Sequence, residues 1–367
     1  GSEMCIRDSN GIMDDLLINL QSIRELRVPG RTSTEQYRNN PKSIPEIAAE
    51  MNVAYIVEGS GQRYGNKIRL RVQLVEGATD KHIWADSYDK VINKPEDIFG
   101  IQSEIARLIA AELQAVITPE EKDLIEKVPT SSLTAYEFYQ KGQERYWEYY
   151  LGRKNREALE SAEELYRYAL EYDSTFANAY TKLGRVHVAK HFYRDYFSED
   201  FMDSLLILKD IALSYDEQLA EAYLLQAFYY YANGNPEEAL ISCDLALDFN
   251  PNYSDVLIRK GYILTRVFND YVKGIESYEK AIARHKGDDL AELLGFLGRA
   301  YLDVGFIEKA KHYYQEVFEL TGDSSHYYSK MAWLELCVGN SEQANKYREI
   351  AYRIDSTNFM GDFYQSL

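Results

Sequence analysis

The spacing of hydrophobic residues changes along the first third of the chain from helical to strand-like and back. Between residues 13 and 23, Leu16, Leu20 and Ile23 recur every three or four positions, which predicts an amphipathic helix. From Lys67 to Leu74 apolar and polar residues alternate, which predicts a half-buried strand. After Asp97 the spacing of three and four returns. This order predicts an α+β domain with a small mixed sheet and flanking helices.

Gly59, Gly61 and Gly65 lie close together and raise the question of a phosphate-binding loop. Such a loop needs a strand before the glycines and a helix directly after them. A strand follows Gly65 instead, so we predict a β-hairpin with a tight turn at Gly65-Asn66. We expect Gly59 and Gly61 to mark a bulge or a sharply twisted strand.

Shorter signals complete the first domain. Residues 27–29 predict a short strand, and residues 82–90 predict another. Ser43, followed three residues later by Glu46, predicts a capped helix start, and Thr118 before Pro119 predicts a second one.

The remaining two-thirds of the chain repeats with a period of about 34 residues, which is typical of a helical solenoid. In the clearest copy, residues 220–251, small side chains recur at Ala227, Ala239 and Ala246, where paired helices must approach closely. The other copies carry the corresponding markers Gly142, Ala162, Tyr166 and Ala169; Gly184 and Ala212; Gly261 and Ala281; Gly298, Ala310 and Tyr314; and Ala332, Ala344 and Ala351.

These copies resemble tetratricopeptide repeats, about six in all, covering residues 131–357. Extra residues enter the first copy near Tyr150 to Asn155 and the second around AKHFYRDYFSED. The resemblance implies an all-α tetratricopeptide-repeat solenoid whose first helices line a groove that binds a protein or peptide. Counting from the small residue of each copy, the expected groove residues are Tyr139, Trp147, Arg185, Phe228, Tyr231, Tyr262, Arg266, Arg299 and Trp333.

Composition narrows the classes of partner and chemistry. The net charge of −18 argues against a nucleic-acid surface, and no apolar run approaches the roughly 18 residues of a membrane span. Three scattered cysteines exclude a disulfide framework and a zinc ribbon.

One arrangement suggests metal binding. His187 and His191 lie four residues apart on one helix face, with Asp195 four further on. The glutamate of an H-E-x-x-H motif is absent, so we interpret these as surface or packing histidines. Asn178, Lys182 and Arg185 give a weak hint of a carboxylate clamp. We expect no catalytic residue, no metal and no cofactor.

The first domain resembles the TolB-amino-terminal-like (FlgO-like) α/β domain over roughly residues 11–118. The family usually begins with an apolar strand ahead of the first helix, which this chain lacks, so an unpaired sheet edge is expected. The matching positions are Val57-Glu58-Gly59-Ser60, Gln73-Leu74, Trp84, Tyr88-Asp89 and Asp97-Ile98-Phe99 before Gln102.

These resemblances divide the chain into residues 1–9, interpreted as non-native sequence, a first domain at 10–127 and a solenoid at 128–367. Domains of these kinds often form the sensory or regulatory part of bacterial nucleotidyl cyclases, CadC-type winged-helix regulators and Ser/Thr kinases. The leading hypothesis is therefore a non-catalytic sensory and protein-interaction module, in the cytoplasm, or in the periplasm if a membrane span precedes it. Trp84, Arg69 and Arg71 are further surface candidates. The alternatives are a stand-alone scaffold and, more distantly, a small-molecule or metal-binding protein.

Overall fold

The computed structural model describes residues 2–31, 33–34, 37, 42–151, 155–191, 201–284 and 288–355. The chain begins with a small three-stranded antiparallel sheet and its helices, and continues as a helical repeat solenoid. Elements of the first part are α1 (Ser2–Gln21), α2 (Ile44–Met51), β1 (Tyr55–Tyr64), β2 (Lys67–Glu76), β3 (Lys81–Val91), α3 (Pro95–Glu112) and α4 (Pro119–Ile125).

The sheet has the order β1-β2-β3, and both strand pairs are antiparallel. The expectation of a mixed sheet is therefore wrong: tight turns, one of them with Gly65 at φ +62°, join neighbouring strands and leave no room for a crossover. Within the described chain no further strand pairs with β1, which agrees with the expected unpaired edge.

The glycines of β1 do not mark a bulge. Residues 55–64 pair with β2 without interruption, and the irregularity lies between Leu74 and Val75 in the pairing of β2 with β3. Gly59 is needed for another reason: a Cβ atom there would collide with the Met13 sulfur of α1. The glycine lets the first helix pack closely against the strand.

The hydrophobic pattern correctly identified the core of the first domain. The alternating residues of β2, including Leu70 and Leu74, are buried against Leu16 of α1 and Ile105 of α3. Both predicted helix starts are confirmed: Ser43 N–H donates to Glu46, and the Thr118 hydroxyl accepts from the backbone of Glu121 at 3.2 Å.

The structure differs from two expectations near the N-terminus. Helix α1 already begins at Ser2, inside the stretch interpreted as non-native sequence. The strand predicted at residues 27–29 is absent. In this segment Val28 N–H donates to a side chain, Asn252 Oδ1, at 3.4 Å, and not to a neighbouring strand.

Twelve helices in the described part of the chain form the six predicted pairs. They are α5 (Leu133–Leu151) with α6 (Arg156–Tyr172), α7 (Ala177–His191) with α8 (Phe201–Tyr215), α9 (Ala220–Ala232) with α10 (Pro236–Phe249), α11 (Ser254–Arg266) with α12 (Tyr271–Ile282), α13 (Asp288–Asp303) with α14 (Ile307–Thr321), and α15 (Ser324–Cys337) with α16 (Ser341–Ile354). The extra residues of the second copy fall largely on 192–200, outside the described residues, as does Asp195.

Most of the predicted small residues are buried where the helices of a pair meet. Three glycines of first helices face a tyrosine ring of the following helix: a Cβ on Gly142 would lie 2.6 Å from Tyr166, and one on Gly298 would lie 2.8 Å from Tyr314. Gly261 meets its tyrosine in the same way. The glycine makes space for a buried aromatic ring, which explains why both residue types recur. Ala332 of the last copy is only partly buried.

The chain divides into two compact units, Gly1–Arg31 with Asn40–Val256 and Thr32–Asn39 with Leu257–Leu367. The first unit contains the sheet domain and the first three helix pairs, and the second contains most of the last three. Among the described helices, none combines the length and the apolar character required to cross a membrane.

Candidate functional site

Tyr139, an expected groove residue of the first unit, lies in the interior. Its side chain is 2% exposed, and its ring centroid lies 4.8 Å from that of Phe176 and 5.9 Å from that of Tyr166. The tyrosine fills the space between the paired helices of the first repeat. The expectation that it offers contact area to a partner therefore needs correction.

Trp147 of α5 is covered by another segment of the same chain. The guanidinium of Arg31 lies 5.2 Å from the Trp147 ring centroid, and Arg31 also forms an ion pair with Asp14 of α1. Tyr150 meets the indole edge-on, with centroids 5.8 Å apart. This tryptophan is part of the packing between the N-terminal segment and the first repeat.

The side chains that hinted at a carboxylate clamp are engaged by carboxylates of the chain itself. Arg185 donates to Asp255 at 2.6 Å, and Lys182 donates to Glu221 at 3.0 Å. The Lys182–Glu221 pair connects the first helices of the second and third repeats, and the Arg185–Asp255 pair connects those of the second and fourth. Their positive charges are thus already neutralised by the protein.

Asn252 binds the segment that follows α1. Its Nδ2 donates to the carbonyl oxygens of Gln21 and Leu26 at 2.9 Å and of Ile23 at 3.3 Å. The side chain is almost fully buried. Together with the contact on Trp147, this bond set shows that the chain's own residues 21–31 lie on part of the first unit's repeats, where the sequence suggested an open surface.

Phe228 and Tyr231 of α9 are both partly buried. Phe228 packs against Leu205 and Leu225. The phenylalanine thus contributes at least part of its ring to packing between repeats.

The second unit brings its predicted residues together. On α11, the Tyr262 ring meets Phe296 of α13 edge-on at 5.8 Å, and Arg259 lies 6.0 Å from the Tyr262 centroid. Arg266, one turn further along α11, approaches Asp303 of α13 at 3.5 Å. These contacts connect the first helices of the fourth and fifth pairs.

Arg299 continues the cluster to the sixth pair. Its Nε donates to Asp303 Oδ1 at 2.7 Å, and its guanidinium carbon lies 5.0 Å from the Trp333 ring centroid on α15. Three of the residues predicted from repeat positions, Arg266, Arg299 and Trp333, therefore form one contiguous cluster with Asp303. We call these four residues the Arg–Trp cluster.

The Arg–Trp cluster is partly withdrawn from water but has unused hydrogen-bonding capacity. Side-chain exposure is 32% for Arg266, 22% for Arg299 and 18% for Asp303. Trp333 Nε1 is buried without a hydrogen-bond partner among the described residues. An unsatisfied buried donor is rare in folded proteins and needs an explanation.

Two groups near the cluster, Tyr314 and Cys337, are neutral at ordinary pH. Burial raises the pKa of Tyr314 above its usual range, and burial also raises the pKa of the Cys337 thiol. Neither contributes charge, so the two arginines and Asp303 determine the local electrostatics.

His187 is occupied by neighbouring protein groups. Its Nδ1 lies 2.9 Å from the Ser204 hydroxyl, and its Nε2 lies 3.7 Å from Glu163. His191 is exposed, and the part of the chain that the structure describes contains no group of three side chains suited to a metal ion.

The surface candidates of the first domain are structural or solvated. Trp84 is partly buried and packs against the core of the sheet domain. Arg69 forms an exposed ion pair with Asp89 at 2.7 Å, and Arg71 is exposed on β2.

Sequence reasoning missed Asp303 and Asn252. Asp303 lies four residues after Arg299 on one helix, so the i,i+4 spacing could have revealed the ion pair. No local signal marks Asn252, because its three acceptors are more than two hundred residues away in the chain.

Comparison with known proteins agrees with the repeat architecture. The family model described as tetratricopeptide repeat matches residues 220–253 and 291–324, which are the third and fifth helix pairs. A curated relative, "Putative adenylate cyclase 3" of Rhizobium meliloti (strain 1021), is 34% identical over 115 residues. That match covers 31% of this chain and only 19% of the relative, so it spans about a fifth of the curated protein's length.

Several solved structures are similar at low sequence identity. The pilF protein of Pseudomonas aeruginosa matches 64% of this chain and 98% of its own, with 18% identity and a TM-score of 0.47. The type IV pilus biogenesis factor PilW matches 61% of this chain and 94% of its own, with 15% identity and a TM-score of 0.48. The helix pairs and the family model give the conclusion: the chain is a small three-stranded antiparallel sheet with helices, followed by a solenoid of tetratricopeptide repeats.

Proposed function

We propose that the chain is the non-catalytic sensory or regulatory part of a larger bacterial signalling protein and that it binds a peptide or protein segment. Tetratricopeptide repeats usually serve as interaction scaffolds, and one curated relative carries a cyclase name. We assign residues 10–127 to a TolB-amino-terminal-like domain and residues 128–367 to the solenoid. The binding role belongs to the solenoid.

The Arg–Trp cluster is the observation that supports this role most directly. Three consecutive first helices of one unit, α11, α13 and α15, each contribute a side chain to it. Arginine and tryptophan are enriched where proteins bind one another, since each combines a large contact area with hydrogen-bond donors. In the first unit, by contrast, Trp147 and Tyr139 are engaged within the chain.

The role of the sheet domain is then structural support and signal transmission. Tyr136 of α5 forms a hydrogen bond with Asp15 of α1, and Asn252 holds the segment after α1. The sheet domain and the first repeats belong to one compact unit, so we expect a change in the first repeats to pass into the sheet domain through packed helices.

A peptide selection tests the binding role. The full chain is immobilised and challenged with a displayed library of random linear peptides, and enriched sequences are measured by titration calorimetry. We expect saturable binding that Arg299→Ala plus Trp333→Ala weakens by more than about tenfold, or 1.4 kcal/mol.

The matched control is Tyr352→Ala plus Arg353→Ala. These two residues also combine an aromatic ring with an arginine, but they are exposed on the second helix α16. The control should bind like the wild type. Enrichment no better than on an unrelated protein would remove the binding role, and unchanged binding by the Arg299/Trp333 variant would remove this surface.

The signalling context has its own test. Sequencing the gene on both sides of the segment that encodes this chain should reveal a cyclase, kinase or winged-helix output region in the same reading frame. An open reading frame containing only repeats would favour a stand-alone scaffold instead.

A further inference from the structure

The Arg–Trp cluster carries an excess of positive charge within a strongly acidic protein. The chain has a formal net charge of −18, yet two guanidinium groups share a single carboxylate here. An arginine remains charged at any physiological pH. One positive charge therefore remains uncompensated within the cluster.

Asp303 shows that the cluster can hold a carboxylate, but it does not saturate the arginines. Arg299 uses only its Nε toward Asp303, at 2.7 Å, and Arg266 reaches it at the longer distance of 3.5 Å. A guanidinium has five N–H donors. The other donors of these two groups have no hydrogen-bond acceptor within the described parts of the chain.

Trp333 supplies a second recognition element. Arg299 lies over its ring, and Nε1 of the indole is buried without an acceptor in the described residues. The ring beside it offers apolar contact area.

The surface also has room for a bound chain. Gly295 lies one helical turn before Arg299 on α13, and a Cβ added there would meet no atom within 4 Å. Residues four apart lie on the same helix face. The space next to Arg299 is therefore unfilled by neighbouring side chains.

From these observations we propose that the ligand of this surface is an acidic peptide segment whose Asp or Glu side chains bind Arg266 and Arg299 and whose apolar groups contact the ring of Trp333. The inference rests on the proposed function and names its ligand. Charge complementarity favours a short acidic peptide over a nucleic acid, because a polyphosphate chain would extend beyond the cluster into the acidic remainder of the protein.

Fluorescence anisotropy with the full chain tests the proposal. One labelled probe alternates glutamate with tyrosine, and the other has glutamine in place of every glutamate. We expect the glutamate peptide to bind roughly tenfold or more tightly than the glutamine peptide, with affinity that falls as salt rises. Arg266→Gln plus Arg299→Gln should abolish this preference, while Arg353→Gln, which removes an exposed arginine of α16, should retain it.

A variant that should bind the peptide more tightly distinguishes a binding role of the cluster from a packing role. Asp303→Asn removes the internal carboxylate that competes for both arginines, so affinity for the glutamate peptide should rise several-fold. If the cluster served only to pack the helices, the same change would lower affinity or leave it unaltered. Either of those results would overturn the proposal.

Three further outcomes would also overturn it. They are equal binding of the two peptides, tighter binding of an oligothymidylate than of the glutamate peptide, and displacement of the peptide by succinate at the concentration at which free peptide displaces it. The last two would indicate a nucleic acid and a small dicarboxylate. Library peptides without acidic residues that require Trp333 would retain the binding role and reject only the acidic ligand.

Discussion

Asp15 is a partly buried carboxylate that contacts residues of three helices, α1, α3 and α5. Tyr136 of α5 and Gln102 of α3 both donate to it, the latter at 3.2 Å. Burial raises the pKa of Asp15 to about 6, and these two hydrogen bonds only partly oppose that effect. The native state therefore prefers the protonated acid at a pH where an unfolded chain would be ionised.

The raised pKa of Asp15 makes the folded protein less stable as pH rises. Below the unfolded pKa of 3.8 both states are protonated, and above about pH 6 both are ionised. Between these values only the native state holds the proton, so Asp15 lowers stability as pH rises, by an amount on the order of 3 kcal/mol.

Asp15→Asn should remove this loss. We expect the variant to gain stability relative to the wild type as pH rises from about 4 to 7, because the neutral amide can still accept from Tyr136. Urea denaturation followed by tryptophan fluorescence measures the difference. The control is Asp97→Asn. A backbone hydrogen bond from Asn93 lowers the pKa of this carboxyl, so Asp97 stabilises the protein when it is ionised. The Asp97→Asn variant should therefore lose stability relative to the wild type as pH rises toward neutral. A constant difference between Asp15→Asn and the wild type would contradict the assignment.

At the scale of elements, glycine determines how closely a helix pair packs. Gly298 faces the buried ring of Tyr314, whereas Gly295, three residues earlier on α13, faces open space. Both glycines weaken the helix intrinsically, because glycine loses the most backbone entropy on folding. Only Gly298 offsets that loss, because it leaves space for the buried ring of Tyr314.

Alanine at these two positions should have opposite effects. Gly295→Ala should raise the free energy of unfolding by about 0.5–1 kcal/mol through helix propensity. Gly298→Ala should lower it by about 1–3 kcal/mol, since its Cβ would lie 2.8 Å from the Tyr314 ring and the pair must separate. Chemical denaturation of the two variants in parallel checks this, and equal effects would show that the Gly298–Tyr314 contact does not limit packing.

At the scale of the whole molecule, long-range contacts make the sheet domain and the first repeats one unit. Asn252 lies just before α11, yet it binds three carbonyl groups near the end of α1. Such a side chain replaces the strand partner that residues 27–29 lack. The sequence predicts two separate domains, and within this unit hydrogen bonds connect them.

Asn252→Ala should loosen this connection. Three carbonyl groups, those of Gln21, Ile23 and Leu26, would lose their side-chain donor. We expect a loss of about 1–3 kcal/mol in the free energy of unfolding together with faster amide exchange in residues 21–31. Hydrogen–deuterium exchange by mass spectrometry measures it. Asn155→Ala, which removes a helix cap on α6, is the control and should affect only its own helix start. Unchanged exchange in residues 21–31 would show that the segment is held by other contacts.

The sequence by itself determined the elements and the repeat architecture. A period of two in β2 and of three to four in the helices reflects which side chains face a core, and the recurring small residues reflect helix pairs that must touch. These are local properties of the chain, so they can be read without coordinates. The same reasoning placed Arg266, Arg299 and Trp333 on first helices.

Only the tertiary structure decided which of these residues a ligand can reach. Trp147 occupies a position equivalent to that of the exposed Arg266, but Arg31 lies over its ring. Tyr139 is buried among the rings of its own repeat. Burial depends on which distant segments pack against a helix, and a repeat pattern contains no information about those segments. For the same physical reason, the binding surface is assigned to the second unit by its contacts and charges.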